Sequence, residues 1–241
     1  WDINIYRGVL TGCNEAFIID GKKKDELIAE DPKSEEIIRP LLRGRDIKRY
    51  GYEFADLYLI TTFPSLRIDI EKYPAVKQHL LSFDYDRLKQ TGELGARKKT
   101  NNKWFETQDS ISYWEDFYKQ KIIFQEMVLE PSFMLDNEGA FFCLDTGRII
   151  TGNDIEYLIA ILNSKLFFFA VKNFYGGGGL GEAGVRMKHT FFEKFNCPLF
   201  DLETKQFIKK RVKEKDYHSI DKLIYEVYRL NEKEIGFIET Q

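Results

Sequence analysis

Much of what specialises a protein chain is scarce or missing in these 241 residues. Only three cysteines occur, Cys13, Cys143 and Cys197, too few and too scattered to form a disulfide framework. The expectation is a reducing, cytoplasmic setting. His79, His189 and His218 share no spacing with one another or with a cysteine, and neither C-x-x-C nor H-x-x-x-H occurs, so no zinc site is expected. The longest unbroken apolar run is six residues, Leu166 to Val171, far short of a membrane span. The start, Trp1-Asp2-Ile3-Asn4, is neither basic nor followed by an apolar stretch and does not resemble a signal peptide. It also lacks methionine, and the chain is expected to be a piece of something longer.

Catalytic motifs are equally scarce. No G-x-S-x-G turn is present to raise a nucleophilic serine above a sheet. The glycine-rich segment Gly176 to Gly184 lacks the G-K-[ST] of a phosphate loop, and no alternating strand–helix pattern surrounds it. A metal-dependent nuclease needs clustered carboxylates, often E-x-K on a strand, yet Glu126-Met127-Val128 has no lysine there. The fragment is therefore expected to hold no catalytic residue, no metal and no cofactor of its own.

What is present is an ordinary globular composition with an aromatic-rich core: 43% hydrophobic, 15% aromatic and 31% charged residues. The net charge of −3 conceals an uneven distribution. Arg39 to Tyr50 carries Arg39, Arg43, Arg45, Lys48 and Arg49 against Asp46, and Gly92 to Trp104 carries Arg97, Lys98, Lys99 and Lys103 against Glu93. Lys205 to Lys215 holds six basic residues against Glu214. Such segments are either a footprint for a polyanion or merely solvated faces.

Along the chain, Ile3, Ile5 and Val9 suggest a strand, Thr11-Gly12-Cys13-Asn14 a turn, and Ala16 to Ile19 a second strand. Lys22 to Glu30 reads as a helix stopped by Asp31-Pro32, and a short helix from Ser34 is limited by Pro40. Leu57 to Thr62 reads as a strand. In Pro74 to Phe83, Val76, His79, Leu80 and Phe83 fall at helical spacing. Thr91 to Ser110 has little periodicity and reads as a long loop, uncommon in a compact domain unless functional. Strands are expected at Lys121 to Met127, Ser132 to Asp136 and Ala140 to Leu144. Asn137-Glu138-Gly139 is expected to close a hairpin between the last two. Asn153 with Glu156 resembles a capping box opening a helix over Ile155, Leu158, Ile159 and Leu162, and Asn163-Ser164 interrupts it. Beyond Asp201 there is no proline, and the segment is expected to be helical, with a second capping box at Asn231 and Glu234.

The segment Arg97-Lys98-Lys99-Thr100-Asn101-Asn102-Lys103 combines groups that bind phosphate or guanine with amides that can pair with adenine. It is the leading candidate for DNA contact. Arg186 and Lys188, beside the glycines, come next, and Arg43, Arg45 and Lys48 complete the set. Arg43-Gly44-Arg45-Asp46 has two open readings: an arginine on DNA, or an Arg–Asp pair that pins a turn. Trp104-Phe105, after the basic loop, reads as a core anchor rather than a base stacker.

Three phrases, TGCNEAF (Thr11 to Phe17), IIRPLLRGRDI (Ile37 to Ile47) and LNSKL (Leu162 to Leu166), together resemble the TaqI-like C-terminal specificity domain. The tail, Ile220 to Leu230 with Glu232 to Ile238, is similar to the helical end of the same proteins. LNSKL also resembles type I restriction specificity subunits. The resemblance implies an α+β fold, a mixed sheet with flanking helices over residues 1–200, followed by a helical appendage at 201–241. It further implies a partner, double-stranded DNA, and an upstream N6-adenine methyltransferase domain that carries S-adenosylmethionine and an N-P-P-Y motif. Neither that motif nor a cofactor glycine motif occurs here. Two other classes stay open: a self-contained metal-dependent nuclease, and a protein-interaction module with solvated basic faces.

Overall fold

A computed structural model describes residues 2–178, 184–192 and 194–240. Most of the glycine run read from the sequence, 179–183, lies outside the described residues.

In chain order, β1 (Ile3–Arg7) leads into a four-residue helix α1 (Asn14–Phe17), β2 (Ile18–Asp20) and α2 (Gly21–Glu30). Strands β3 (Ile38–Leu42), β4 (Ile47–Lys48), β5 (Gly51–Tyr52) and β6 (Leu57–Ile60) follow, then α3 (Pro74–Leu81) and α4 (Tyr85–Leu88). After the long loop come β7 (Lys121–Gln125), β8 (Met127–Val128), β9 (Phe133–Asp136), β10 (Phe142–Cys143) and β11 (Gly147–Gly152). Helices α5 (Ile155–Leu162) and α6 (Lys165–Asn173), strand β12 (Val185–Arg186) and α7 (His189–Phe192) precede three terminal helices, α8 (Leu202–Glu214), α9 (Tyr217–Val227) and α10 (Glu232–Glu239).

Two four-stranded sheets organise these elements. The first has order β1-β11-β7-β9 and is antiparallel throughout, with Arg7 opposite Arg148 and Gly147 opposite Gln125. The second, β10-β3-β6-β2, is mixed, because β10 runs parallel to β3. This is the α+β class expected from the sequence.

The first sheet is the middle layer. Side chains alternate across a strand, and here both faces are covered. Ile123, Met134 and Ile149 join a cluster built with the second sheet, α1 and α3. Ile122, Phe124, Phe133 and Ile150 join another with α5, α6 and the terminal helices. That is why Lys121-Ile122-Ile123-Phe124 is buried at every position instead of alternating. Helix α5 is apolar nearly all round because it is packed between this sheet and α8 and α9. Ile208, Ile220, Ile224 and Ile238 of the terminal helices enter the second cluster.

Three local expectations are corrected. The segment Ala16 to Ile19 is not one strand: Asn14–Phe17 makes a helical turn and extended chain starts at Ile18. Asn137-Glu138-Gly139 does not close a hairpin, since β9 pairs with β7 whereas β10 crosses to the other sheet. The cause is Asp136, whose carboxylate accepts from the Ala140 and Phe141 amides at 3.1 and 2.9 Å and so turns the chain out of the first sheet. The same carboxylate meets the Lys121 ammonium at 2.5 Å, and the pair is buried with side-chain exposures of 4% and 0%. Burial lowers the Lys121 pKa, and Asp136 opposes the shift. Third, the helix near residue 154 is not opened by an Asn153 box: Asp154 occupies the N-cap with left-handed backbone and no side-chain cap, while Asn153 donates to the Asp2 carboxylate. The second box, Asn231 with Glu234, forms with both reciprocal bonds.

Candidate nucleic-acid interface

The family-like phrases all turn out to be joints. In TGCN, the Thr11 hydroxyl donates to Asn14 Oδ1 at 2.6 Å and accepts from the Cys13 amide at 3.1 Å. Gly12 has φ +76°, and a Cβ there would lie 2.9 Å from Arg97 Cδ, so only glycine fits without strain. In LNSKL, the Asn163 amide bridges β9 by accepting from the Phe133 N–H at 3.0 Å and donating to its carbonyl at 2.8 Å. Ser164 caps α6 by accepting from Phe167 N–H. The Asp221 carboxylate of α9 accepts from Arg49 at 2.7 Å and from the Lys165 amide at 3.1 Å.

The sequence-derived contact residues separate into two groups. Arg97 is corrected outright: it is only 2% exposed. Its guanidinium donates five bonds of 2.6–2.9 Å to the carbonyls of Leu88, Thr11, Glu106 and Trp104. Burial pushes its pKa down to about 10. It ties the loop to the TGCN turn and cannot touch DNA. Asn102 is corrected too, because its amide donates to the Thr107 and Gln108 carbonyls inside the loop. Arg43 pins its turn: its Nε and Nη2 both bind the Asp46 carboxylate, at 2.9 and 2.8 Å. Burial acts to raise the Asp46 pKa, but the Arg43 side chain and amide outweigh it and lower it. Trp104 and Phe105 pack in the core as expected.

The remaining residues point outward. Arg45, Lys98, Lys99, Asn101, Lys103, Arg186 and Lys188 are exposed. Lys48 is half-buried, with Glu53 3.5 Å away, and Lys103 lies 5.4 Å over the Phe105 ring.

Segments far apart in sequence meet at one end of the first sheet, where β1 and β7 finish and β11 begins. The Arg43–Asp46 turn packs there: a Cβ on Gly44 would lie 2.3 Å from Gln125 Cδ, so a side chain at 44 would have to displace that of Gln125. The next residue, Glu126, binds Arg148 at 2.7 Å and lies 3.7 Å from Arg186 on the β8–β12 ribbon. Its carbonyl accepts from the Met187 amide, which places Lys188 beside it. Arg7 meets Asp145 at 2.8 Å and Asp109 at 3.9 Å. The Tyr113 hydroxyl donates to the Arg7 carbonyl, and Gln108 N–H donates to Leu10, so the long loop runs alongside. Burial raises the Asp109 pKa, while Arg7 and Lys98 act to lower it.

The sheet end thus holds a recess of about 350 Å³ lined by Arg7, Gln125, Glu126, Met127, Asp145, Thr146 and Arg148, with Arg186 beside it. Sequence reasoning missed Arg7 and Arg148. Each stands alone in its segment, and only strand pairing across more than a hundred residues sets them opposite each other. Among the described residues, no three His, Cys, Asp or Glu side chains gather so as to hold a metal ion. No helix there is long and apolar enough to cross a membrane.

An α+β domain with Arg7, Arg148 and Arg186 gathered at one sheet end, around a recess of mixed donors and acceptors, has the construction of a recognition module. The model of the TaqI-like C-terminal specificity domain matches residues 39–179, and the chain belongs to that family. Its fold is shared with the type IIL restriction-modification enzyme MmeI, solved in complex with DNA, at a TM-score of 0.59 and 12% identity over 98% of this chain and 35% of that one. The type IIG restriction endonuclease BpuSI is similar at 0.58 and 18%, over 89% of this chain and 25% of that one. The chain therefore spans about a third of the first enzyme and a quarter of the second. No curated protein matches it.

Proposed function

We propose that this chain is the target recognition domain of a restriction–modification enzyme and binds double-stranded DNA sequence-specifically without catalysing a reaction. The observation that carries this is that Arg7 and Arg148 meet at one end of the first sheet, with the Arg43–Asp46 turn and the 186–187 strand packed against that end and the long loop tied alongside through Asp109 and Tyr113. The exposed cations suit phosphates, which fix register, and the recess behind them suits base edges, which carry sequence. The chemistry belongs to a partner domain of the same enzyme. An N6-adenine methyltransferase that flips its base is the reading the family supports, and S-adenosylmethionine would bind there.

Filter binding of the chain to duplex DNA over a salt series tests the proposal. Each neutralised phosphate contributes about −0.9 to the log–log slope. A flat response would refute DNA binding and leave a protein-interaction module. No observation favours the nuclease reading.

A further inference from the structure

The three arginines at the recess are not equivalent. Arg7 is committed: its Nη2 and Nε bind the carboxylate and carbonyl of Asp145, and its Nη1 faces Asp109. Arg186 is 44% exposed and has only a 3.7 Å ion pair, which leaves its guanidinium open to a phosphate. Arg148 is different. Its Nη1 donates to the Asp145 and Gly147 carbonyls at 3.0 and 3.1 Å, and one Nη2 hydrogen goes to Glu126 at 2.7 Å. Three anchors from two separate stretches of chain, 126 and 145–147, fix the plane of the guanidinium. Among the described residues, Nε–H and the second Nη2 hydrogen take no partner, and the side chain keeps 21% exposure beside an open recess.

Nε and Nη2 share one edge of the guanidinium, and with a donor free on each this is the forked edge with which an arginine can reach the O6 and N7 acceptors of guanine in the major groove. A fork held in advance loses little side-chain entropy on binding. Glu126 serves twice. It orients the fork, and its charge offsets that of Arg148, so the group gains less from a passing phosphate than a free arginine would.

We propose that Arg148 is the guanine-reading residue of this domain, and that Glu126 is the positioning residue that aims it. The assignment rests on the DNA-binding reading above and adds the base and the atom that reads it.

The test selects bound sequences from a randomised duplex pool with the full chain, for wild type, Arg148→Gln, Arg148→Lys and Glu126→Gln. The wild type is expected to enrich a motif with a fixed G·C pair. Arg148→Gln should lose guanine preference at that one position by about tenfold to a hundredfold, the other positions unchanged. Arg148→Lys keeps the charge but not the fork, so it should relax the same position at an unchanged salt slope. Glu126→Gln should keep the guanine but weaken the preference. Melting curves of each variant separate loss of fold from loss of reading, and the lysine variant carries the test if the glutamine variant unfolds. An intact motif with uniformly weaker binding and a salt slope smaller by about 0.9 would show a phosphate contact and overturn the assignment. Failure of the wild type to enrich any motif would instead overturn sequence-specific binding itself, and the assignment with it.

Discussion

Replacing Arg97 with methionine tests whether that residue is a structural pin rather than a DNA contact. Methionine fills a similar length of the channel but carries no donor. Of the four carbonyls that Arg97 binds, Glu106 also accepts from the Gln90 amide at 3.0 Å, so three are stripped: Leu88, Thr11 and Trp104. A buried polar group left unsatisfied costs about 1–3 kcal/mol. Three would cost roughly 6 kcal/mol if none relaxed. The offset is that an unpaired buried charge is no longer desolvated, a saving of a few kcal/mol because no carboxylate bonds this guanidinium directly. The expected net loss is about 3–4 kcal/mol, read as a lower urea midpoint at unchanged slope. In DNA binding the variant should lose affinity through disorder of the loop, with the salt slope of its folded fraction unchanged. A loss below about 1 kcal/mol, or a slope smaller by 0.9, would refute the reasoning.

The opposite pattern is expected of Lys98→Ala with Lys99→Ala: no change in melting temperature, but a salt slope smaller by about 2, from two phosphates released. Asn163→Ala should cost about 2–3 kcal/mol in denaturant titration, since the buried Phe133 N–H loses its acceptor and α5 its link to β9; a change within 0.5 kcal/mol, the size usual for surface substitutions, would contradict that. His79 gives a pH signature. Its Nε2 lies 3.0 Å from the Ala16 carbonyl, a pure acceptor, and burial lowers its pKa below 6.5 in the folded chain. Between the two values the unfolded chain binds more protons, so this stability is fully present above about pH 6.5 and declines as pH falls through the folded value. His79→Gln should flatten the difference between melts at pH 7 and pH 5, and parallel curves for the two proteins would exclude the effect.

Elements governed by neighbours in the chain were legible from the residues alone. α2 and α3 are stopped or opened by Asp31-Pro32 and Pro74, and α10 is opened by Asn231 and Glu234, because caps and helical periodicity act over three or four residues. The family phrases were legible as well, but not their meaning. TGCN, RGRD and LNSKL act as joints, whose partners Arg97, Gln125 and Phe133 lie 30 to 90 positions away. The Asn137–Gly139 turn was misread because a turn signal states that the chain reverses, not which strand it meets next.

The sequence by itself determined the mixed α+β class, the helical tail, the family and the presence of basic segments. It did so because composition, periodicity and motif are properties of neighbouring residues. Only the tertiary structure decided which of those charges face solvent. It sent Arg97 inward to four carbonyls and left Lys98 and Lys99 outside, although the three are consecutive. It also set Arg7 opposite Arg148 at the sheet end. Whether an arginine becomes a pin, a phosphate contact or a base reader depends on the acceptors that pairing and packing bring around it, and those come from distant parts of the chain.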